Sequence, residues 1–417
     1  MTAPSVDRTF HPDSISPLSF WAASADEREA TFARLRAEAP VSWHPPVEGG
    51  LMLPEQPGVW AVARHADITY VSKHPELFTS GQGVMIEEVP EDMLEAAMSF
   101  LAMDGKRHTS LRRLVSAAFT PRRIAAIAEQ IHRQAVSIVD DLLENPEGDF
   151  VSAVSKRLPM WTIYEMMGLP LEQREIGAHH ADGMVSWNDP DVADGREPGE
   201  ILAESLVALL GLALDLADAR RSHPEDDLMT ALVQAEVDGE QLTDDEIAAF
   251  FVLLSVAGND TTRNTISLTA KALQDNPDQR QLLVDDLDGV MPTAVEEFVR
   301  FATPVMTFRR TALADTELAG QQIRAGEWVL LLYPSGNRDE TVFDDPHRFD
   351  LTRSPNPHLG FGGGGPHYCM GAFLAKTQLR ELFGQLITRA PGLRLGEPEP
   401  LVGNFVHAVR AMPYSLR

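Results

Sequence analysis

The chain is poor in cysteine: Cys369 is the only one in 417 residues. One thiol cannot close an internal disulfide, so a reducing compartment, the cytoplasm, is expected. Positive charge is also scarce. Lys and Arg number 35 against 62 Asp and Glu, a formal net charge of -27. That balance argues against a nucleic-acid binder, whose affinity rests on neutralising phosphates, and its plain consequence is solubility. No apolar run reaches about 18 residues, so no membrane span is expected. The opening MTAPSVDRTFHPDS lacks the basic and apolar regions of a secretory signal. Internal repeats, low-complexity linkers and composition breaks are missing too, and residues 1–417 read as one unit. Hydrophobic residues make up 44%, enough for a large core and too many for disorder.

What is present is mainly helical, with small strands near the start and in the last third. PGVWAVARH (Pro57 to His65) alternates like a strand. TELAGQQIRAGEWVLLLY (Thr316 to Tyr333) reads as short strands with Gly-bearing turns. Leu114 to Val151, Ala203 to Ala219 and Leu242 to Asp275 carry apolar residues at helical spacing. The last is the clearest helix. Thr243 and Glu246 form a capping box, Ile247, Phe250, Phe251 and Leu254 share a face, and Pro277 bars continuation. A helix of over thirty residues is roughly 50 Å long, enough to cross a domain. Its centre, LLSVAGNDTTRN, is oddly small and polar for a core helix.

The cysteine lies in HLGFGGGGPHYCMGAFLA (His358 to Ala375), where a glycine loop turns into a helix. A lone cysteine is usually a small buried hydrophobe. At a helix N-terminus, however, backbone N–H groups and the helix dipole favour thiolate, the form that ligates iron or attacks carbon. Gly362 to Gly365 strip side chains from one surface, so that backbone could approach a large flat object. A nucleophilic cysteine needs no such clearing, whereas an iron-bound thiolate beneath a porphyrin does.

This loop resembles the haem-binding loop of the cytochromes P450, Phe-Gly-x-Gly-x-His-x-Cys-x-Gly. Gly363, Gly365, His367, Cys369 and Gly371 match in place; Phe361 stands one residue earlier than the pattern's phenylalanine, whose place Gly362 takes. The resemblance implies the mainly α cytochrome P450 fold with small β-sheets and a long central helix. It makes Cys369 the axial ligand of a haem b iron.

Other segments extend the resemblance over essentially the whole chain. Ala257-Gly258-Asn259-Asp260-Thr261-Thr262 sits mid-helix. Its structural explanation is Thr hydroxyls bonding back to the preceding turn. By resemblance it is the oxygen-activating motif: Gly258 leaves room for dioxygen, Asp260 relays protons and Thr261 hydrogen-bonds the oxygen. Glu297 and Arg300, three apart on one helix face, match the family's structural Glu-x-x-Arg pair, with Arg348 of DDPHRFD as the expected third member. His108, Arg112, Arg310 and His367 occupy the positions at which the family holds the haem propionates, and arginine suits carboxylates because its fork binds them bidentately.

The resemblance implies a monooxygenase that inserts one atom of dioxygen into a hydrophobic substrate. Neither a flavin-binding stretch nor an iron–sulfur cysteine set is present. Electrons are therefore expected from a ferredoxin and an NAD(P)H-ferredoxin reductase. Between Lys106 and Arg123, KRHTSLRR and TPRR form the densest basic segment. Most of its charges read as a solvated helix face; Arg112, Arg113 and Lys376 are candidates for a ferredoxin-docking patch. Family positions give a mostly apolar candidate pocket: Val84 to Ile86, Met184 to Trp187, Ala257, Val305, Met306, Phe405 and Val406. VAGNDTTRN, PTAVEEFVR and NFVHAVRAMP are similar to actinobacterial members acting on sterol side chains and methyl-branched lipids, so a lipid, sterol or terpenoid is expected. The alternatives are tailoring of a polyketide or peptide natural product and, outside the family, a haem-binding sensor or a cysteine-nucleophile enzyme. The last two leave Asp260 and Thr261 unexplained.

Overall fold

A computed structural model describes residues 8–48, 56–87, 96, 97, 99–116, 121–187, 189, 195–237 and 239–416, except the side chains of 121–126, 237 and 240. Residues 1–7 of the polar opening, and of the TPRR segment Thr120 and the side chains of 121–123, lie outside the described residues.

The long helix runs Asp244–Asp275, 32 residues or about 48 Å. Its start is fixed as its sequence dictates. Thr243 Oγ1 accepts from the Glu246 N–H at 3.2 Å, and Glu246 accepts from the Thr243 N–H at 3.0 Å. It ends at Asn276, and Pro277 opens the next helix at a position where its missing N–H has no intrahelical role. Helices Arg157–Met167, Leu171–Ser186, Pro198–Ser222 and Leu287–Ala302 are among those that pack against it. It is therefore buried on several sides and forms the axis of the main hydrophobic core.

Of the helix expected over Leu114 to Val151, Leu114 lies in helix Gly105–Ser116 and the greater part is helix Pro121–Glu144, with residues 117–120 outside the described residues. The helix stops before Val151: a short strand, Glu147–Asp149, precedes a π-helical turn at Val151–Ser155.

The main sheet has five strands in the order Val41–His44, Val59–Val62, Trp328–Leu332, Thr307–Ala312, Phe78–Thr79. Val59–Val62 and Trp328–Leu332 pair in parallel; the other neighbours are antiparallel. The hairpin before Trp328 turns at Ala319 and Gly320, both with positive φ (48° and 81°), which suits the twist of a two-residue connection. Among the described residues no helix is long and apolar enough to cross a membrane.

Candidate active site

The long helix, the cysteine loop and the end of the sheet enclose one cavity of about 310 Å³. Its walls include Leu253 to Thr265 in part, Gly360 to Gly364, His367 to Gly371, Met184 to Trp187 and Leu401 to Val406. Cys369 opens onto this space. Its N–H donates to the Phe361 carbonyl at 2.9 Å, which closes the loop, and helix Ala372–Arg389 begins immediately after with Gly371 as N-cap. Burial raises the thiol pKa. The N–H of Gly371, the Arg112 guanidinium, the N–H of Ala372 and the Lys376 ammonium all act against that rise. The early Phe361 is buried against the same cavity, with Lys376 Nζ 5.2 Å from its ring centroid.

The glycines have a further reason beyond clearing a flat surface. Gly362, Gly364 and Gly365 have φ of 95°, 90° and 73°, a region L side chains rarely adopt. A Cβ on Gly363 would lie 2.5 Å from Ser72 Oγ, and one on Gly365 2.3 Å from the Ser72 carbonyl oxygen. Close packing on helix His65–Lys73 thus demands glycine as firmly as any cofactor. Gly258 is similar: a Cβ there would stand 2.8 Å from Ile163 Cδ1, so its bareness lets helix Arg157–Met167 approach.

At one rim the cavity meets Arg112, Arg310 and His367. Arg112 donates to the Tyr368 carbonyl at 2.5 Å, Arg310 to the Arg309 carbonyl at 2.7 Å, and His367 Nε2 lies 3.0 Å from Asp104. His108 sits behind His367, ring centroids 4.4 Å apart, and its buried Nε2 has no hydrogen-bond partner among the described residues. Burial, His367 and Arg112 push the His108 pKa down to about 4. A sulfur open to the cavity, two arginines on its rim and an unpartnered buried histidine nitrogen fit a group carrying an iron and two carboxylates.

Asp260 and Thr261 line the same cavity. The Thr261 hydroxyl donates to the Ala257 carbonyl at 2.9 Å, the back-bonding expected of a threonine in a helix. Asp260 is 1% exposed and ion-paired with Arg263, which the sequence reading did not single out. Arg263 also donates to Asp182 of helix Leu171–Ser186 at 2.6 Å. Burial raises the Asp260 pKa, Arg263 opposes that, and Asp182 adds to it. The only signal for Arg263 was its spacing of three from Asp260; Asp182 had none.

Glu297 and Arg300 are both 0% exposed and joined by bonds of 2.6 and 2.7 Å. The expected third member is corrected. Arg353, not Arg348, brings its guanidinium to Glu297, at 3.3 Å. The Arg348 side chain is exposed, and only its carbonyl takes part, accepting from Arg300 at 3.0 Å. The chain turns between the two arginines, with Thr352 bonding back to Asp350, and that turn decides which one faces inward.

Met184, Trp187, Ala257, Val305, Phe405 and Val406 line the cavity. Ile86 and Met306 do not: both are buried in a separate core with Ile15, Trp21 and Trp328. Their neighbours in sequence, Met85, Glu87 and Val305, face the cavity instead. Of the candidate docking cations, Arg113 is exposed, Lys376 is bonded to Glu296 at 2.6 Å, and Arg112 faces the cavity.

Comparison with known proteins agrees with this geometry. Residues 213–389 match the family model described as Cytochrome P450. The chain is 41% identical over 404 residues to a methyl-branched lipid omega-hydroxylase of Mycobacterium bovis, covering 96% of this chain and 93% of that protein. The chain belongs to the cytochrome P450 family. It is 39% identical to a steroid C26-monooxygenase of Mycolicibacterium smegmatis, covering 91% of this chain and 88% of the other. A solved Mycobacterium marinum cytochrome P450 in complex with pseudoionone superposes with a TM-score of 0.97 at 55% identity, covering 99% of this chain and 100% of that one. The mainly α cytochrome P450 fold, a haem b cofactor, dioxygen as cosubstrate and monooxygenation of a hydrophobic substrate follow from membership.

Proposed function

We propose that this cytochrome P450 hydroxylates a lipid, sterol or terpenoid, with electrons from a ferredoxin and an NAD(P)H-ferredoxin reductase in the cytoplasm. One observation carries the site assignment: the Cys369 sulfur and the Asp260–Thr261 pair open onto one largely apolar cavity. Cys369 holds the haem iron as thiolate, and His108, Arg112, Arg310 and His367 take its carboxylates. The bound haem supplies dioxygen activation and substrate oxidation. Asp260, buried and ion-paired with Arg263, has its pKa raised by that burial, which suits a carboxyl group that takes up and passes on a proton. Thr261 Oγ1 accepts hydrogen bonds while its own proton stays on Ala257, and donates once its hydroxyl turns away from that carbonyl. Met184, Trp187, Val305, Phe405 and Val406 exclude water and hold the substrate's apolar body. Glu297, Arg300 and Arg353 pin the segment leading to the cysteine loop.

The names of the lipid- and steroid-oxidising relatives support the substrate class over tailoring of a polyketide or peptide. Residues 1–417 function as one domain in this reading, since the long helix contributes to both the core and the cavity. Arg113 is the exposed cation left for ferredoxin contact.

The test is the carbon monoxide difference spectrum of the reduced protein. A strongly red-shifted Soret band is expected, and its loss in Cys369→His. Absence of any haem signal, or a band at the wavelength of neutral ligation, overturns the assignment of Cys369. Spectral shifts with branched fatty acids, alcohols or sterols and none with macrolides support the substrate class. Arg113→Glu is expected to weaken ferredoxin-supported turnover at low salt; turnover unchanged across salt concentrations refutes the docking role.

A further inference from the structure

The cavity holds one carboxyl group that the chemistry above does not use. Its described basic lining residues are Arg112, Arg310 and His367, all at the cysteine-loop rim, and Asp260 belongs to the long-helix motif. Glu87 is the remaining carboxyl group among the described lining residues. It is 7% exposed, and Asn404, 2% exposed, donates Nδ2–H to Glu87 Oε1 at 2.6 Å. Asn404 lines the cavity as well, and its position is set by the Thr307 hydroxyl, which donates to its carbonyl at 2.9 Å. Arg309 acts on Glu87 electrostatically; it is seated 3.6 Å from the Trp328 ring centroid and donates to the Gln82 carbonyl. Burial raises the Glu87 pKa, and the Asn404 bond opposes that rise.

An acid buried at the wall of an apolar cavity is costly unless it is paired or used. Asn404 occupies one of its oxygens. Besides Asn404 and its own backbone N–H, no other described group is seen hydrogen-bonded to the Glu87 carboxyl group. Acceptor capacity is thus concentrated at one polar spot in a lining that is otherwise mostly hydrocarbon. The cations able to balance a substrate carboxylate are those the haem carboxylates take.

Resting on the lipid or terpenoid reading above, we propose that Glu87 and Asn404 form the polar recognition subsite of the substrate. The subsite accepts the hydroxyl of a neutral, otherwise apolar molecule and rejects a carboxylate. A hydroxyl donates to the free acceptors, while a carboxylate brings a second negative charge beside Glu87 in a medium of low dielectric. The class selected is therefore an isoprenoid or branched alcohol, not the corresponding acid.

The test uses the haem-loaded full chain and three ligands of one carbon skeleton: farnesol, its methyl ether and farnesoic acid. Dissociation constants are read from the haem absorbance shift and from calorimetry. The alcohol is expected to bind about tenfold more tightly than the ether and the acid, a difference of about 1.4 kcal/mol. Glu87→Gln keeps an oxygen for Asn404 but removes the charge, and is expected to bring the acid within about threefold of the alcohol. Acid and alcohol binding alike to the unaltered protein overturns the proposal, whatever the variant does. A preference unchanged in a Glu87→Gln protein that keeps its carbon monoxide band also overturns it. If none of the three binds while that band is normal, the substrate class itself falls, and this subsite with it.

Discussion

Replacing the arginines around Glu297 one at a time separates a buried charge network from its exposed neighbour. Arg300 gives bonds of 2.7 and 2.6 Å to Glu297, 2.8 Å to the carbonyls of Asn337 and Pro346, and 3.0 Å to that of Arg348. Arg300→Ala strands a carboxylate that is 0% exposed, and breaking a buried pair from one side costs about 3–5 kcal/mol. Arg353 makes a single longer approach to Glu297 at 3.3 Å and also donates to the Asp344 carbonyl at 2.7 Å. Arg353→Ala should therefore cost less, about 1–3 kcal/mol. Arg348 contributes only its carbonyl, which alanine retains, so Arg348→Ala should leave stability unchanged. The assay is urea unfolding followed by tryptophan fluorescence and by Soret absorbance, with haem content measured after purification. The expected order of midpoints is Arg348→Ala equal to the parent, Arg353→Ala lower and Arg300→Ala lowest, with haem lost in the last. A midpoint for Arg348→Ala as low as that for Arg353→Ala would refute the assignment.

Further expectations concern the long helix. Thr261→Ala is expected to leave the substrate-induced absorbance shift intact while lowering product formed per dioxygen consumed, measured by product and oxygen stoichiometry. Gly258→Ala should cost about 1–3 kcal/mol by overpacking on Ile163, and Ile163→Val in the same chain should restore part of the unfolding midpoint. The Asp260 pKa is raised in the folded protein. More protons are then bound folded than unfolded, and stability falls as pH rises from the ordinary carboxylate range through the native value. Asp260→Asn should flatten that slope in unfolding midpoints measured across pH; an unchanged slope excludes Asp260 as its source.

The sequence determined the features that depend on neighbours along the chain. The Thr243–Glu246 box and Pro277 set the ends of the long helix, because caps and proline act within a turn. The cysteine loop, the Asp260–Thr261 pair and Glu297–Arg300 are each contiguous or three apart, so the resemblance to family motifs could single them out. Alternation over Pro57 to His65 and the Gly-bearing turns of Thr316 to Tyr333 also marked Val59–Val62 and Trp328–Leu332 as strands. Tertiary structure decided what depends on chain segments meeting. Arg353 rather than Arg348 reaches Glu297 because the intervening turn chooses which side chain is buried. Glu87 and Asn404 are 317 positions apart, and Arg263 and Asp182 are 81. Ile86 and Met306 pass to a separate core while Met85, Glu87 and Val305 beside them face the cavity. Gly258 and Gly363 both line the cavity, and only packing shows that a Cβ on either would also meet Ile163 or Ser72. Local patterning fixes which groups a segment offers, and only the packing of distant segments in a dense interior fixes which of them meet.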